Sequence, residues 1–169
     1  GSLAVAEVRA AIDTPGAALL AIGFGIKAGV VPLHVWLPLA HPAAPVPGSA
    51  VLSGAIVKAG LMGMILLVPP GALGPVLTGL GLAGAFGAAI WGLTQANPKA
   101  VLAYSTVSQM GLMVMLVAAP GAARDAVSYF AMHHGLAKGA LFLLVGVMLA
   151  AQARWQRRLC VILAGLVAA

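Results

Sequence analysis

Apolar residues run almost unbroken between short clusters of proline, glycine and asparagine. The spacing of those clusters predicts helices long enough to cross a bilayer, which takes about 20 residues. The first run covers 15–38 and carries Pro32 and Pro38, with Pro42, Pro45 and Pro47 just beyond it. The next covers 48–68 and is ended by Pro69-Pro70-Gly71; a third covers 73–95 and is closed by Asn97-Pro98. The fourth covers 99–118, closed by Pro120-Gly121, and the fifth covers 126–151. A sixth, 159–169, is incomplete and too short to span, so the chain is expected to be the middle of a longer protein. The pattern predicts an all-α, polytopic transmembrane helix bundle with one proline-broken helix, a single membrane domain over 1–169.

Composition agrees with that pattern. Of 169 residues, 62% are hydrophobic and only 7% are charged, with a mean hydropathy of +1.09. Soluble domains carry about 25% charged residues, so the bilayer is the solvent here. The net charge of +6 does not indicate nucleic acid, because the basic residues form no stripe and aromatics are few. The charges read as topology signals instead. If each run crosses, Lys99, Arg154, Arg157 and Arg158 fall on one side, and Arg9 and Arg124 on the other with Glu7, Asp13 and Asp125. The excess of basic residues places the first side in the cytoplasm, where Trp91, Tyr104 and Trp155 form an aromatic belt. The expected location is the cell (inner) membrane, multi-pass. No secretory signal is visible at the N-terminus. Cys160, the one cysteine, reads as a packed thiol and supports neither a disulfide framework nor a metal site.

Candidate chemistry lies where charge is most expensive. A charged group at mid-bilayer depth costs several kcal/mol, about 2.5–3.5 on insertion scales. Lys27, Lys58 and Lys138 sit inside apolar runs, and no carboxylate accompanies them. A proton or cation path explains such placement; a lysine that snorkels to the interface is the alternative. Lys27 lies one turn before Pro32, whose missing N–H is expected to leave the Ala28 carbonyl without its helical partner and to break the helix there. Irregular backbone at membrane depth is tolerated where protein buries it or water reaches it. His134 and Lys138, four residues apart, share a helix face and suit a relay, since histidine titrates near neutral pH. His133 points elsewhere and is assigned a bond to a neighbouring helix. Tyr104, Ser105, Ser108 and Gln109 form a polar strip that can order water or bond neighbouring helices. His34 and His41 flank the broken region and could gate it. Lys27, Lys58, His134 and Lys138 are expected to face a common interior. Nothing suggests hydrolysis, a phosphate loop or a metal: no cofactor is expected.

At these residues the chain resembles a known family. Lys27 to Pro45, KAGVVPLHVWLPLAHPAAP, is similar to the signature of the antiporter-like membrane subunits of respiratory complex I (NADH-quinone oxidoreductase), multisubunit sodium/proton antiporters and membrane-bound hydrogenases of the formate hydrogenlyase type. The stretches Ser53 to Gly60 (SGAIVKAG), Asn97 to Gly111 (NPKAVLAYSTVSQMG) and His134 to Phe142 (HGLAKGALF) match in order. The resemblance implies that Lys27 works with a glutamate on an upstream helix, that Lys58, His134 and Lys138 belong to a hydrophilic axis, and that Pro32 marks the break. Leu39 departs from it where many members carry an acid, and Gln109 where several branches carry histidine.

The resulting expectation is a proton-translocating, non-redox subunit of a redox-driven complex, working by a lysine/histidine relay and water chains. Its partners would be other membrane subunits, the lipid bilayer and protons, with sodium as the alternative ion. Two other functions compete: a sodium/proton antiporter subunit, and a structural remnant that packs in a complex without conducting.

Overall fold

The computed structural model describes residues 4–69, 73–119, 121–151 and 158, with the backbone alone at 122–124. The sixth apolar run, Cys160, Arg154, Arg157, Trp155 and the Arg124 side chain lie outside what is described. Among the described residues every regular element is helical, and four helices are long and apolar enough to cross a membrane.

A short helix α1 (Val5–Ala10) precedes α2 (Thr14–Ala28). Asp13 caps α2 by accepting a bond from the Gly16 amide at 2.8 Å, and Pro15 sits at its first turn. Both residues suit a helix start, where amide groups lack intrahelical partners and proline's missing N–H costs nothing. The chain then leaves the helix and resumes as α3 (Trp36–Ala43), which includes Pro38 and Pro42.

The discontinuity falls where the first motif predicted it, but its cause differs. Gly29, with φ +70°, ends α2 in the left-handed conformation that glycine adopts without penalty. Its amide bonds the Ile26 carbonyl at 3.1 Å, and the Val30 amide bonds the Gly25 carbonyl at 2.9 Å. That pair of bonds is a Schellman motif. The helix has therefore already stopped three residues before Pro32. The indole Nε1 of Trp36 then donates to the Ile26 carbonyl at 2.8 Å, tying the start of α3 to the end of α2.

Beyond the loop a single rod covers Val46–Leu67. It consists of α4 (Val46–Val51), a π-helical turn over Leu52–Ile56, and α5 (Val57–Leu67). Next come α6 (Gly74–Leu93), α7 (Pro98–Ala118) and α8 (Ala122–Ala150). α7 begins on Asn97, which caps the Lys99 amide at 2.9 Å, with Pro98 in the first turn.

α7 is the centre of the bundle. It packs on α3, α5, α6 and α8, while α2 lies against α5 and α8 against α4 and the π turn. Val107, Met110, Met113, Val114 and Val117 of α7 are fully buried with Leu37, Val57, Leu61 and Met64. Glycines bring the helices to backbone contact, as expected where lipid supplies no hydrophobic drive for pairing. A Cβ on Gly111 would lie 2.6 Å from the Gly81 carbonyl oxygen, and one on Gly60 would lie 2.6 Å from the Ala28 nitrogen. Packing thus accounts for Gly81 and Gly84, whereas Gly79 and Gly87 face open space. Leu19, Phe86, Ile90, Leu93 and Leu136 project outward, which a bilayer or further helices would cover.

Candidate functional site: a buried lysine pair

Two lysines meet in the interior, contributed by two different helices. Lys58, on the first turn of α5, is buried, and so is Lys138 on α8. The Lys58 ammonium donates to the Ser53 carbonyl. That carbonyl belongs to the π turn. In an α-helix it would receive the Val57 amide, but here the Val57 amide bonds the Leu52 carbonyl. The wider turn thus redirects a backbone acceptor toward a side-chain cation.

Lys138 donates to the Ser105 hydroxyl, which donates in turn to the Leu102 carbonyl at 2.9 Å. The Thr106 hydroxyl donates to the same carbonyl at 2.9 Å. A hydroxyl carries one proton, so at the 2.8 Å contact between Ser53 Oγ and Thr106 Oγ1 it is Ser53 that donates. One turn of α7 therefore joins the two lysines: Lys58 to Ser53, Ser53 to Thr106, Thr106 and Ser105 to Leu102, Ser105 to Lys138.

His134 lies within the electrostatic reach of both Lys58 and Lys138. It is buried, and neither ring nitrogen has a hydrogen-bond partner among the described residues. His41, fully buried, stacks on Phe142 with ring centroids 4.4 Å apart and an interplanar angle of 14°. Its ring nitrogens likewise have no partner among the described residues, and Lys99, Lys138 and Lys58 act on it electrostatically. Close approach of α8 to the π turn makes this cluster possible. A Cβ on Gly135 would lie 2.6 Å from the Gly54 carbonyl oxygen, so no larger residue fits without separating the helices.

Some of the predicted site residues join this cluster and others do not. Lys58, His134, Lys138 and Ser105 do, and His41 is adjacent. Lys27 does not: in the described chain it stands exposed on the last turn of α2. Pro32 is exposed in the loop. His34 is half-buried, with its ring edge-on to Tyr104 at 6.5 Å, beside a cavity of about 330 Å³ that Trp91 also lines. Ser108 bonds the Ala85 carbonyl of α6 at 2.6 Å, so at that position the polar strip links helices. Gln109 is half-buried. His133, expected to bond a neighbouring helix, is exposed.

Two residues in the interior were missed. Thr106 sits within the polar strip, next to Ser105, and a count of every hydroxyl on α7 would have included it. Lys99 reads in the sequence as a topology charge. It is buried and donates at 2.7 Å to the carbonyl of Ala44, just past the end of α3. A cation there also complements the negative end of the helix. All three acidic residues, Glu7, Asp13 and Asp125, are exposed, so among the described residues the interior charge is wholly basic. No cluster of His, Cys, Asp or Glu among them could hold a metal.

The fold and this interior define a multi-pass membrane protein with a buried basic axis. The sequence profile of the family described as NADH:quinone oxidoreductase/Mrp antiporter, transmembrane, matches residues 9–168, and the chain belongs to that family. It is 36% identical to hydrogenase-4 component B of Escherichia coli, over 88% of this chain and 26% of the relative. Identity is also 36% to NADH-quinone oxidoreductase subunit M of Pseudomonas aeruginosa, over 74% of this chain and 26% of that protein. Among solved structures it matches a chain of the Mrp complex from Dietzia sp. DQ12-45-1b with a TM-score of 0.77 and 28% identity, covering 88% of this chain and 30% of that one. The chain thus spans about a quarter of the length of these curated relatives.

Proposed function

We propose that this chain carries the central part of a proton path in an antiporter-like membrane subunit of a redox-driven complex of the NADH-quinone oxidoreductase or hydrogenase type. The observation that carries the reading is the buried pair Lys58 and Lys138, bridged by hydroxyls of α7 and flanked by His134. Two buried ammonium groups without a carboxylate are costly to keep for stability alone. As groups that load and release protons they have a use. Lysine can do both once buried, and a histidine ring can pass a proton between its two nitrogens. Lys27, on the outer face of α2, is assigned to the same path through a carboxylate on a helix outside this chain. His34, His41 and Gln109 are placed along its approaches, and the partners are the other membrane subunits of such a complex.

The test uses the full-length subunit in its native complex, in sealed membrane vesicles with a pH-sensitive dye. Lys58→Ala should abolish proton pumping, and Lys58→Arg should impair it strongly, because arginine keeps the charge but does not release its proton. A correctly assembled Lys58→Arg complex that pumps normally would remove proton release at Lys58 from the mechanism. Replacing sodium by potassium in the same vesicles should leave pumping unchanged; loss of transport would assign the sodium/proton antiporter function instead.

A further inference from the structure

We propose that Thr106 is a positioning residue for Lys58, acting through Ser53 and the π turn. This rests on the reading of Lys58 as a proton-carrying group. The geometry is a chain of single-valued choices. Thr106 commits its one hydroxyl proton to the Leu102 carbonyl at 2.9 Å, so its oxygen can only accept from Ser53 at 2.8 Å. Thr106 and Ser53 are both fully buried, and a buried hydroxyl deprived of its partner carries an uncompensated desolvation cost. The Ser53 side chain is therefore pinned to α7, and the Ser53 carbonyl is the acceptor of the Lys58 ammonium.

The same bridge cannot be the proton wire. It passes through the carbonyls of Ser53 and Leu102, which accept hydrogen bonds but have no proton to hand on. Its role is to place. It sets the Lys58 ammonium against the π turn on one side, and it sets Ser105 to receive Lys138 on the other. Proton movement between the lysines then falls to groups outside the bridge, of which His134 is the one on the same face as Lys138. Leu102 to Thr106 is thus a spacer that fixes the separation of two carriers.

The experiment compares Thr106→Val, Thr106→Ser, Ser53→Ala and Lys58→Ala in the full-length subunit within its complex, reading protons translocated per substrate oxidised. Valine keeps the shape of threonine and removes the hydroxyl; serine keeps the hydroxyl and removes the methyl. Thr106→Val should lower the ratio well below wild type, because it breaks the bonds to both Ser53 and Leu102. Thr106→Ser should retain it. Ser53→Ala combined with Thr106→Val should be no worse than Thr106→Val alone, since Ser53→Ala removes only the Ser53–Thr106 bond that Thr106→Val already breaks. If Thr106→Ser fails as badly as Thr106→Val, the side chain matters for packing and the proposal is overturned. If both retain the ratio while Lys58→Ala loses it, the positioning role alone is overturned. Normal pumping by Lys58→Ala would overturn the functional reading on which it rests.

Discussion

Gly135→Ala tests whether backbone contact between α8 and the π turn assembles the lysine pair. The new Cβ would meet the Gly54 carbonyl oxygen at 2.6 Å and lie 3.7 Å from Lys58 Cε. Ordinary contact begins at 3.4 Å, so α8 has to retreat by about 0.8 Å, and a carbonyl oxygen in a helix has no rotamer into which to escape. Overpacking of this kind costs about 1–3 kcal/mol. Alanine's better helix propensity returns up to about 1 kcal/mol. With the full propensity gain the net expectation is a loss of up to about 2 kcal/mol, together with displacement of His134 and Lys138 relative to Lys58. Gly54→Ala is the internal control, because its Cβ would meet the Gly135 carbonyl oxygen at 3.2 Å and needs only a few tenths of an ångström. The assay is the thermal midpoint of the full-length subunit in its solubilised complex, followed by size-exclusion chromatography, with proton pumping measured in parallel. Gly135→Ala should lower both, and Gly54→Ala should lower both less. Equal tolerance of the two substitutions, or the reverse order, would refute the reasoning.

Lys99→Met removes the ammonium held at 2.7 Å by the Ala44 carbonyl and should cost about 1.5–3 kcal/mol, the range for a hydrogen bond to a charged group; a denaturation midpoint equal to wild type would show that Lys99 is not an anchor. The 169-residue chain reconstituted alone in liposomes should leak protons no faster than empty vesicles, because all three of its carboxylates are exposed and none faces the lysines; a leak abolished by Lys58→Ala would show that the chain conducts unaided.

Much of the architecture is legible in the sequence because the bilayer imposes length. Apolar runs bounded by Pro-Pro-Gly, Asn-Pro and Pro-Gly locate the long helices: α6 and α7 begin and end near those signals, and α8 begins at one. The interruption after Lys27 is legible too, and its stop signal is Gly29 rather than Pro32: a glycine just past a helix end with proline soon after. The π turn has no such signal: Leu52 to Ile56 reads as ordinary apolar helix, and only its tertiary contacts reveal it. Lysine burial is also a tertiary property. Lys27 and Lys58 look equivalent in apolar runs, yet Lys58 lies where α5 meets α7 and α8, whereas Lys27 points away from the α5 and α3 contacts that bury its neighbour Ala28. Lys99 shows the converse, a lysine at a helix start whose flexible stem carries its charge inward.

Backbone contact between helices has a mechanical consequence. Where Gly81 meets Gly111, Gly54 meets Gly135 and Gly60 meets the backbone of α2, no compliant side chain lies between the helices. Those pairs behave as stiff struts: loads pass across them with little deformation, as interiors of low compressibility require. α3 is joined differently. It meets its surroundings through side chains: Leu37 buried in the core, His41 stacked on Phe142, and the bonds of Trp36 to Ile26, Ser49 to His41 and Lys99 to Ala44. Compliance in the molecule is therefore unevenly distributed: the side chains around α3 can yield where the glycine struts cannot.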